Sequence, residues 1–221
     1  PYSKRLLEGY GTVKPPIVSL SNGIDVSFFE HSEENGRRFR EFYGYQEQDK
    51  VIIGIGLYIE RKGILDFVEL AKRLPQYKFI WFGYSPLSAS PRKIRDAVNT
   101  KLPNLYFAGY VEPTMIRDAL SGADLYLFPT LEETEGIPII EACAAKIPAL
   151  IRDIPVFSEW LEDGKNVYKA KTLEEFEEKI TGILEEKLPL LTEAGYQIAK
   201  ERDLKIIGKK LIQIYENVLK E

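Results

Sequence analysis

Short, mainly apolar runs recur along the middle of this chain, and each is followed by a polar turn and then by apolar positions at helical spacing. The runs fall at 51–58, 78–83, 104–109, 124–128 and 147–151. Runs without alternation predict strands buried on both faces, the setting of a parallel sheet. After the first of them, Ile64, Phe67, Val68, Ala71 and Leu74 share one helical face. Further helices are expected over 91–98, from Pro113 through Leu120, and from Ile137, with Pro138 in a first turn that tolerates proline. Strand and helix alternate, so the fold class expected is α/β, a doubly wound parallel sheet of Rossmann-like kind.

The two ends read differently. A short helix is expected within 1–9, started by Pro1, with Ser3 as its cap and Leu6 and Leu7 on one face; Gly11, Pro15 and Pro16 break it. A brief strand at 17–20 leads into the turn Ser21-Asn22-Gly23-Ile24-Asp25, and 37–43 is helical. Arg152 to Trp160 turns into a short helix. From Thr172 the pattern is helix only: Thr172 and Glu175 form a capping box, and two apolar stripes follow, Leu173, Phe176, Ile180 and Ile183, then Ile207, Leu211, Ile214 and Val218. The domains expected are a linker helix over 1–16, a Rossmann-like ligand domain over 17–171 and C-terminal helices over 172–221.

Two polar turns carry the candidate chemistry. Between the run at 124–128 and the helix from Ile137 lie Thr130-Leu131-Glu132-Glu133-Thr134-Glu135-Gly136. A strand, a glycine loop and a helix start leave free backbone N–H groups and suit an anion. Glu133 and Glu141 flank that place, and carboxylates repel phosphate. A ligand that brings both a diphosphate and hydroxyls, as a sugar nucleotide does, resolves the conflict. The second turn, Ile59-Glu60-Arg61-Lys62-Gly63, sets two cations at the C-terminal end of a central strand, where open α/β sheets bind ligands.

Composition narrows the class. Of 221 residues 44% are hydrophobic and 29% charged, ordinary for a globular protein, with a net charge of −4. No Lys/Arg run exceeds two residues, which argues against a nucleic-acid partner. One cysteine and one histidine do not make a zinc site of the usual kind, so no metal is expected. Cys143 reads as a small core residue and His31 as a solvent-facing one. No signal peptide or membrane-length apolar stretch is visible, and a cytoplasmic setting fits.

Glu133 and Glu141, seven residues apart around Gly136, resemble the paired-glutamate signature of retaining glycosyltransferases of the GT-B fold, group 1 or family 4. Asn22-Gly23-Ile24-Asp25, Gly56 with Lys62-Gly63, and Gly109-Tyr110-Val111 resemble further family motifs, in the family's order. Leu57 stands where the family carries an arginine; Arg61 is the candidate substitute. The phrasing around Gly56 and Glu133 looks like the diacylglycerol 3-glucosyltransferases. The resemblance implies half of a GT-B fold, with the family's acceptor domain and its catalytic histidine in an N-terminal half outside this chain. It implies Glu133 as the catalytic residue against the sugar. The donor, expected to be UDP-glucose, would meet Gly56, Arg61, Lys62, Gly109, Tyr110, Val111, Glu135, Gly136, Ile137, Pro138 and Glu141, the last on its ribose. The substrate is the nucleotide sugar and no cofactor is expected. The acceptor would be a lipid, diacylglycerol, met at the inner face of the plasma membrane. The alternatives are transfer to another glycan acceptor, a GT-B sugar-nucleotide epimerase, and a non-catalytic nucleotide-sugar-binding module.

Overall fold

The computed structural model describes residues 2–11 and 16–219; Pro1 as a helix start and Pro15 as a breaker lie outside the described residues. Six strands form one sheet: β1 (Val51–Ile55), β2 (Lys78–Phe82), β3 (Leu105–Gly109), β4 (Leu125–Phe128), β5 (Ala149–Arg152) and β6 (Tyr168–Ala170). Every neighbouring pair is parallel, in the order β3-β2-β1-β4-β5-β6. The side chains of β1, β2, β4 and β5 are buried almost throughout, which is why those runs lack alternation, whereas β3, at the sheet edge, is only half-buried and exposes Tyr106.

Ten helices surround the sheet among the described residues: α1 (Tyr2–Gly9), α2 (Val26–Phe29), α3 (Glu33–Tyr43), α4 (Ile64–Arg73), α5 (Arg92–Val98), α6 (Pro113–Gly122), α7 (Ile137–Ala144), α8 (Leu173–Leu184), α9 (Thr192–Lys200) and α10 (Leu204–Val218). One core layer joins β-strand residues Val51, Ile53, Tyr126 and Phe128 to Phe39 of α3, Ala119 of α6, Ile140 and Cys143 of α7 and Ala199 of α9. The opposite layer joins Ile52, Phe79, Trp81 and Leu127 to Phe67 of α4, Ile94 of α5 and Phe176 of α8. The doubly wound sheet is therefore as the hydrophobic pattern predicted. Cys143 is a free, buried core residue and His31 is exposed.

Several local expectations are corrected. Residues 17–20 pair with no strand; the neighbouring chain is instead held by one bridge, Ile24 to Asp203. The run at 51–58 stops as a strand at Ile55 because the chain turns out of the sheet: Leu57 is exposed while Tyr58 folds back into the core. Ser3 lies inside α1 rather than capping it. The helix expected over Arg152 to Trp160 shrinks to a 3-10 turn, Pro155–Phe157. Thr172 does cap α8, accepting from the Glu175 N–H at 3.3 Å, but Glu175 accepts from the Lys171 N–H at 2.6 Å, one residue beyond the cap N–H of the reciprocal bond. The final stripe is not packed: Ile207 is buried, whereas Leu211 and Val218 are exposed.

Candidate functional site

Strand order reverses beside β1: the chain runs outward through β2 and β3, then returns to add β4, β5 and β6 on the other side. The turns leaving β1 and β4 therefore diverge and open a crevice at the carboxyl ends of the strands. Gly56, Arg61, Lys62, Glu133, Glu135, Gly136, Ile137, Pro138 and Glu141 all lie on these two turns or on the helix that follows the second.

The turns are locked together through their backbones. Glu60–Lys62 is a single 3-10 turn that ends at Gly63 in the left-handed conformation (φ 77°). A Cβ at Gly63 would lie 2.1 Å from the Pro129 carbonyl oxygen, so only glycine permits this approach. The Arg61 carbonyl accepts from Leu131 N–H at 2.8 Å and lies 3.1 Å from the Thr130 hydroxyl. The Arg61 guanidinium donates to the Glu132 carbonyl at 2.7 Å and stands 3.9 Å from the Glu133 carboxylate. Gly56 leaves room for the Lys62 stem, which would otherwise meet a Cβ at 3.1 Å.

Lys62 and Glu133 meet at the centre. The Lys62 ammonium donates to the Glu133 carboxylate, and the two side chains are 14% and 6% exposed. Thr130, fully buried, sets its hydroxyl 3.1 Å from the same carboxylate oxygen. Lys62 Nζ also stands 5.7 Å from the centre of the Phe128 ring. A buried carboxylate is thus kept beside one cation, one hydroxyl and an aromatic face, and the residues expected to hold phosphate and sugar touch each other.

The anion-binding geometry expected before α7 has its structural parts. Gly136 precedes the helix in the left-handed conformation (φ 82°), and no side chain caps the helix. A Cβ on Gly136 would lie 2.9 Å from the Phe157 ring. The Glu135 carboxylate points elsewhere: it accepts from the Ser21 hydroxyl, from Asn22 N–H at 3.1 Å and from the Asn22 amide at 2.6 Å. The Asn-Gly turn of the early chain is thereby tied to the loop between the two glutamates. Ile137 is exposed and Pro138 half-buried in the first turn of α7. Glu141, one turn on, sits half-buried, and burial alone pushes its carboxyl up to about 7.

Gly109, Tyr110 and Val111 stand apart from this group, at the end of β3. Three strand spacings separate β3 from β4, or about 14 Å, a span that an extended ligand crosses but a small one does not. Gly109 is left-handed with open space around it, and Tyr110 is exposed.

Two supports have no counterpart in the sequence reading. Arg152, at the end of β5, donates to the Pro129 carbonyl at 3.1 Å, to the Lys171 carbonyl at 2.7 Å and to Asp66 of α4, and lies over the Phe176 ring. It holds the base of the loop that carries Glu133. Burial raises the Asp66 carboxyl in spite of this partner. Thr130 is the other, a hydroxyl in contact with three acceptors. Nothing in a one-dimensional pattern singles either out. Among the described residues no group of three or more His, Cys, Asp or Glu side chains gathers as a metal site, and no helix is long and apolar enough to cross a membrane.

The chain matches the family model described as glycosyl transferases group 1 over residues 36–201. It is 42% identical over 219 residues to the processive diacylglycerol alpha-glucosyltransferase of Acholeplasma laidlawii, covering 99% of this chain and 66% of that protein. Among solved structures, a glycosyltransferase from Rickettsia africae superposes with a TM-score of 0.84 at 20% identity, covering 100% of this chain and 62% of that one. The Anabaena protein HepE, solved with UDP-glucose, superposes with a TM-score of 0.86 at 18% identity, covering 97% and 61%. These likenesses extend over the whole sheet and its helices, and each relative continues beyond the part this chain matches. The chain has the fold of one Rossmann-like half of a GT-B glycosyltransferase and belongs to the group 1 glycosyl transferase family.

Proposed function

We propose that this chain is the donor-binding half of a retaining glycosyltransferase that moves glucose from UDP-glucose to diacylglycerol in membrane glycolipid synthesis. The observation that carries the reading is the buried Lys62–Glu133 pair at the strand-order reversal, beside the uncapped N-terminus of α7. The diphosphate would take the Lys62 ammonium and the first-turn amides near Gly136 and Ile137, where negative charge grows as the nucleotide leaves. Glu133, exchanging Lys62 for the sugar, would face the anomeric carbon as positive charge builds there. Glu141 would accept the ribose hydroxyls, and the turn at Gly109, Tyr110 and Val111 would meet the base. Arg61 would be a secondary cation at the rim. The reading assigns a nucleotide-sugar substrate and no cofactor. The lipid acceptor and a peripheral position at the inner face of the plasma membrane are supported by the diacylglycerol acceptor named for the Acholeplasma relative.

Calorimetric titration of the chain with UDP, UDP-glucose and uridine tests the donor site. UDP is expected to bind at millimolar concentration or better, and Lys62→Ala to weaken UDP by roughly tenfold or more while changing uridine little, as loss of a hydrogen bond to a charged group implies. Absence of UDP binding, or equal loss for UDP and uridine, overturns the assignment of Lys62. For the enzyme containing this chain, transfer from UDP-glucose to diacylglycerol vesicles, lost in Glu133→Gln with UDP affinity kept, tests the reaction.

A further inference from the structure

Tyr126 carries a polar atom that the fold does not use. It lies on β4, fully buried, in the layer between the sheet and α7. Its ring stacks on Phe128 with centroids 5.7 Å apart, and the Lys62 ammonium lies on the Phe128 ring in turn. The surrounding core is apolar: Ile139, Ile140, Ala142 and Cys143 of α7 belong to the same cluster. Yet the Tyr126 hydroxyl is the one buried side-chain polar atom without a hydrogen-bond partner among the described residues. Leaving a hydroxyl unpaired in such a place is costly, and phenylalanine would fill the same space without that cost.

The groups around it indicate its use. Burial first, and then the nearby Glu141 and Glu133, hold its proton on firmly. Lys62 lies beyond Phe128, and Arg202 acts on Cys143 from the chain between α9 and α10. The hydroxyl is therefore a free donor in the layer that holds Ile140 and Ala142, the two residues flanking Glu141 on α7, and Glu141 takes part in no ion pair among the described residues. Cys143 is pushed up to about 12 and offers no competing anion.

We propose that Tyr126 is a positioning residue for Glu141: its hydroxyl is the donor onto which the Glu141 carboxylate closes when that carboxylate holds the ribose hydroxyls of a nucleotide. The inference rests on the ribose role given to Glu141 above. A carboxylate has two oxygens; one bonded to a buried tyrosine leaves the other, correctly turned, for the ligand. The bond also favours the charged form of a carboxyl that burial raises. The device combines an acceptor inside an apolar layer with a donor too deep to be exchanged for water.

The test is Tyr126→Phe, which removes only the oxygen. UDP affinity is measured by calorimetry across the range around neutrality in the original chain, Tyr126→Phe, Glu141→Gln and the double variant, alongside thermal melting of each. Tyr126→Phe is expected to melt no lower than the original chain, to bind UDP roughly three- to tenfold more weakly, and to move the pH midpoint of binding upward. In the Glu141→Gln background the tyrosine substitution is expected to change UDP affinity little. Unchanged affinity and midpoint in Tyr126→Phe, with Glu141→Gln weakened, overturn this inference and leave the ribose assignment standing. A Glu141→Gln chain that binds UDP normally overturns both. A Tyr126→Phe chain that melts lower shows the hydroxyl to be spent inside the fold, and also overturns the inference.

Discussion

The two glutamates of the crevice have opposite surroundings. Glu133, on the loop after β4, has a carboxylate only 6% exposed, yet it keeps a lysine, a threonine hydroxyl and a nearby guanidinium. Glu141, on α7, has an apolar setting and burial as the single cause of its raised carboxyl. Depth alone does not decide whether a buried acid finds a partner. The neighbours supplied by the adjoining turn decide it, and those neighbours reach only one of the two residues. One glutamate is paired with the lysine of the β1 turn; the other takes part in no ion pair among the described residues.

That contrast depends first on the contact between turns. Gly63→Ala places a Cβ 2.1 Å from the Pro129 carbonyl at a left-handed position. The backbone strain and the forced shift together predict a loss of about 2–5 kcal/mol. Urea unfolding measures it, and a loss below about 1 kcal/mol, the size of an ordinary surface effect, would mean that the turns are not locked as described.

Lys62→Met breaks the pair from the cation side and leaves the buried Glu133 carboxylate with only the Thr130 hydroxyl and the more distant Arg61 guanidinium. A loss of about 3 kcal/mol is expected, and most of it should return in the Lys62→Met, Glu133→Gln double variant, because the stranded charge is then gone. If the double variant is no more stable than the single one, Glu133 is not held by Lys62.

Glu141→Gln approaches the other glutamate. Its carboxyl is raised from an ordinary 4.5 to about 7, so in that window the folded chain holds a proton that the unfolded chain has released. Stability contributed at this site is therefore present at low pH and falls as pH rises from about 4.5 through about 7, by on the order of 2–3 kcal/mol. Glu141→Gln removes the fall. Stability curves measured at about pH 5 and about pH 8 should diverge between the two chains only at the higher pH; parallel curves would place Glu141 among charged neighbours.

The smallest effect is expected from Arg61→Ala. Its side chain is 41% exposed and makes one bond to a carbonyl, so stability should fall by about 0.5–1 kcal/mol. UDP affinity should fall less than in Lys62→Ala. An equal or larger fall, read by the same titration, would raise Arg61 from a rim cation to a direct ligand of the diphosphate.

Much of the fold was legible because burial on both faces leaves a mark in one dimension. The runs around Ile53, Ile80, Phe107, Leu127 and Leu150 each became a strand of the parallel sheet. The run at 17–20 has a similar look and paired with nothing, since a short apolar stretch does not state what it packs against. The last stripe, with Leu211 and Val218, was helical as expected, but amphipathic spacing does not guarantee a covering surface.

The sequence by itself determined the alternation of strands and helices, the two glycine-bearing turns and the residue types they present, because these depend on neighbours along the chain. Only the tertiary structure decided which charges meet. Lys62 and Glu133 are far apart in sequence and in contact in space; Glu135 spends its carboxylate on Ser21 and Asn22; Arg152 braces a loop through carbonyls that have no signature; Tyr126 differs from an ordinary core aromatic by one unpartnered oxygen. Hydrogen bonds and ion pairs act over a few ångströms, and the distances that matter here are set by which strands lie side by side, a property that no local pattern contains.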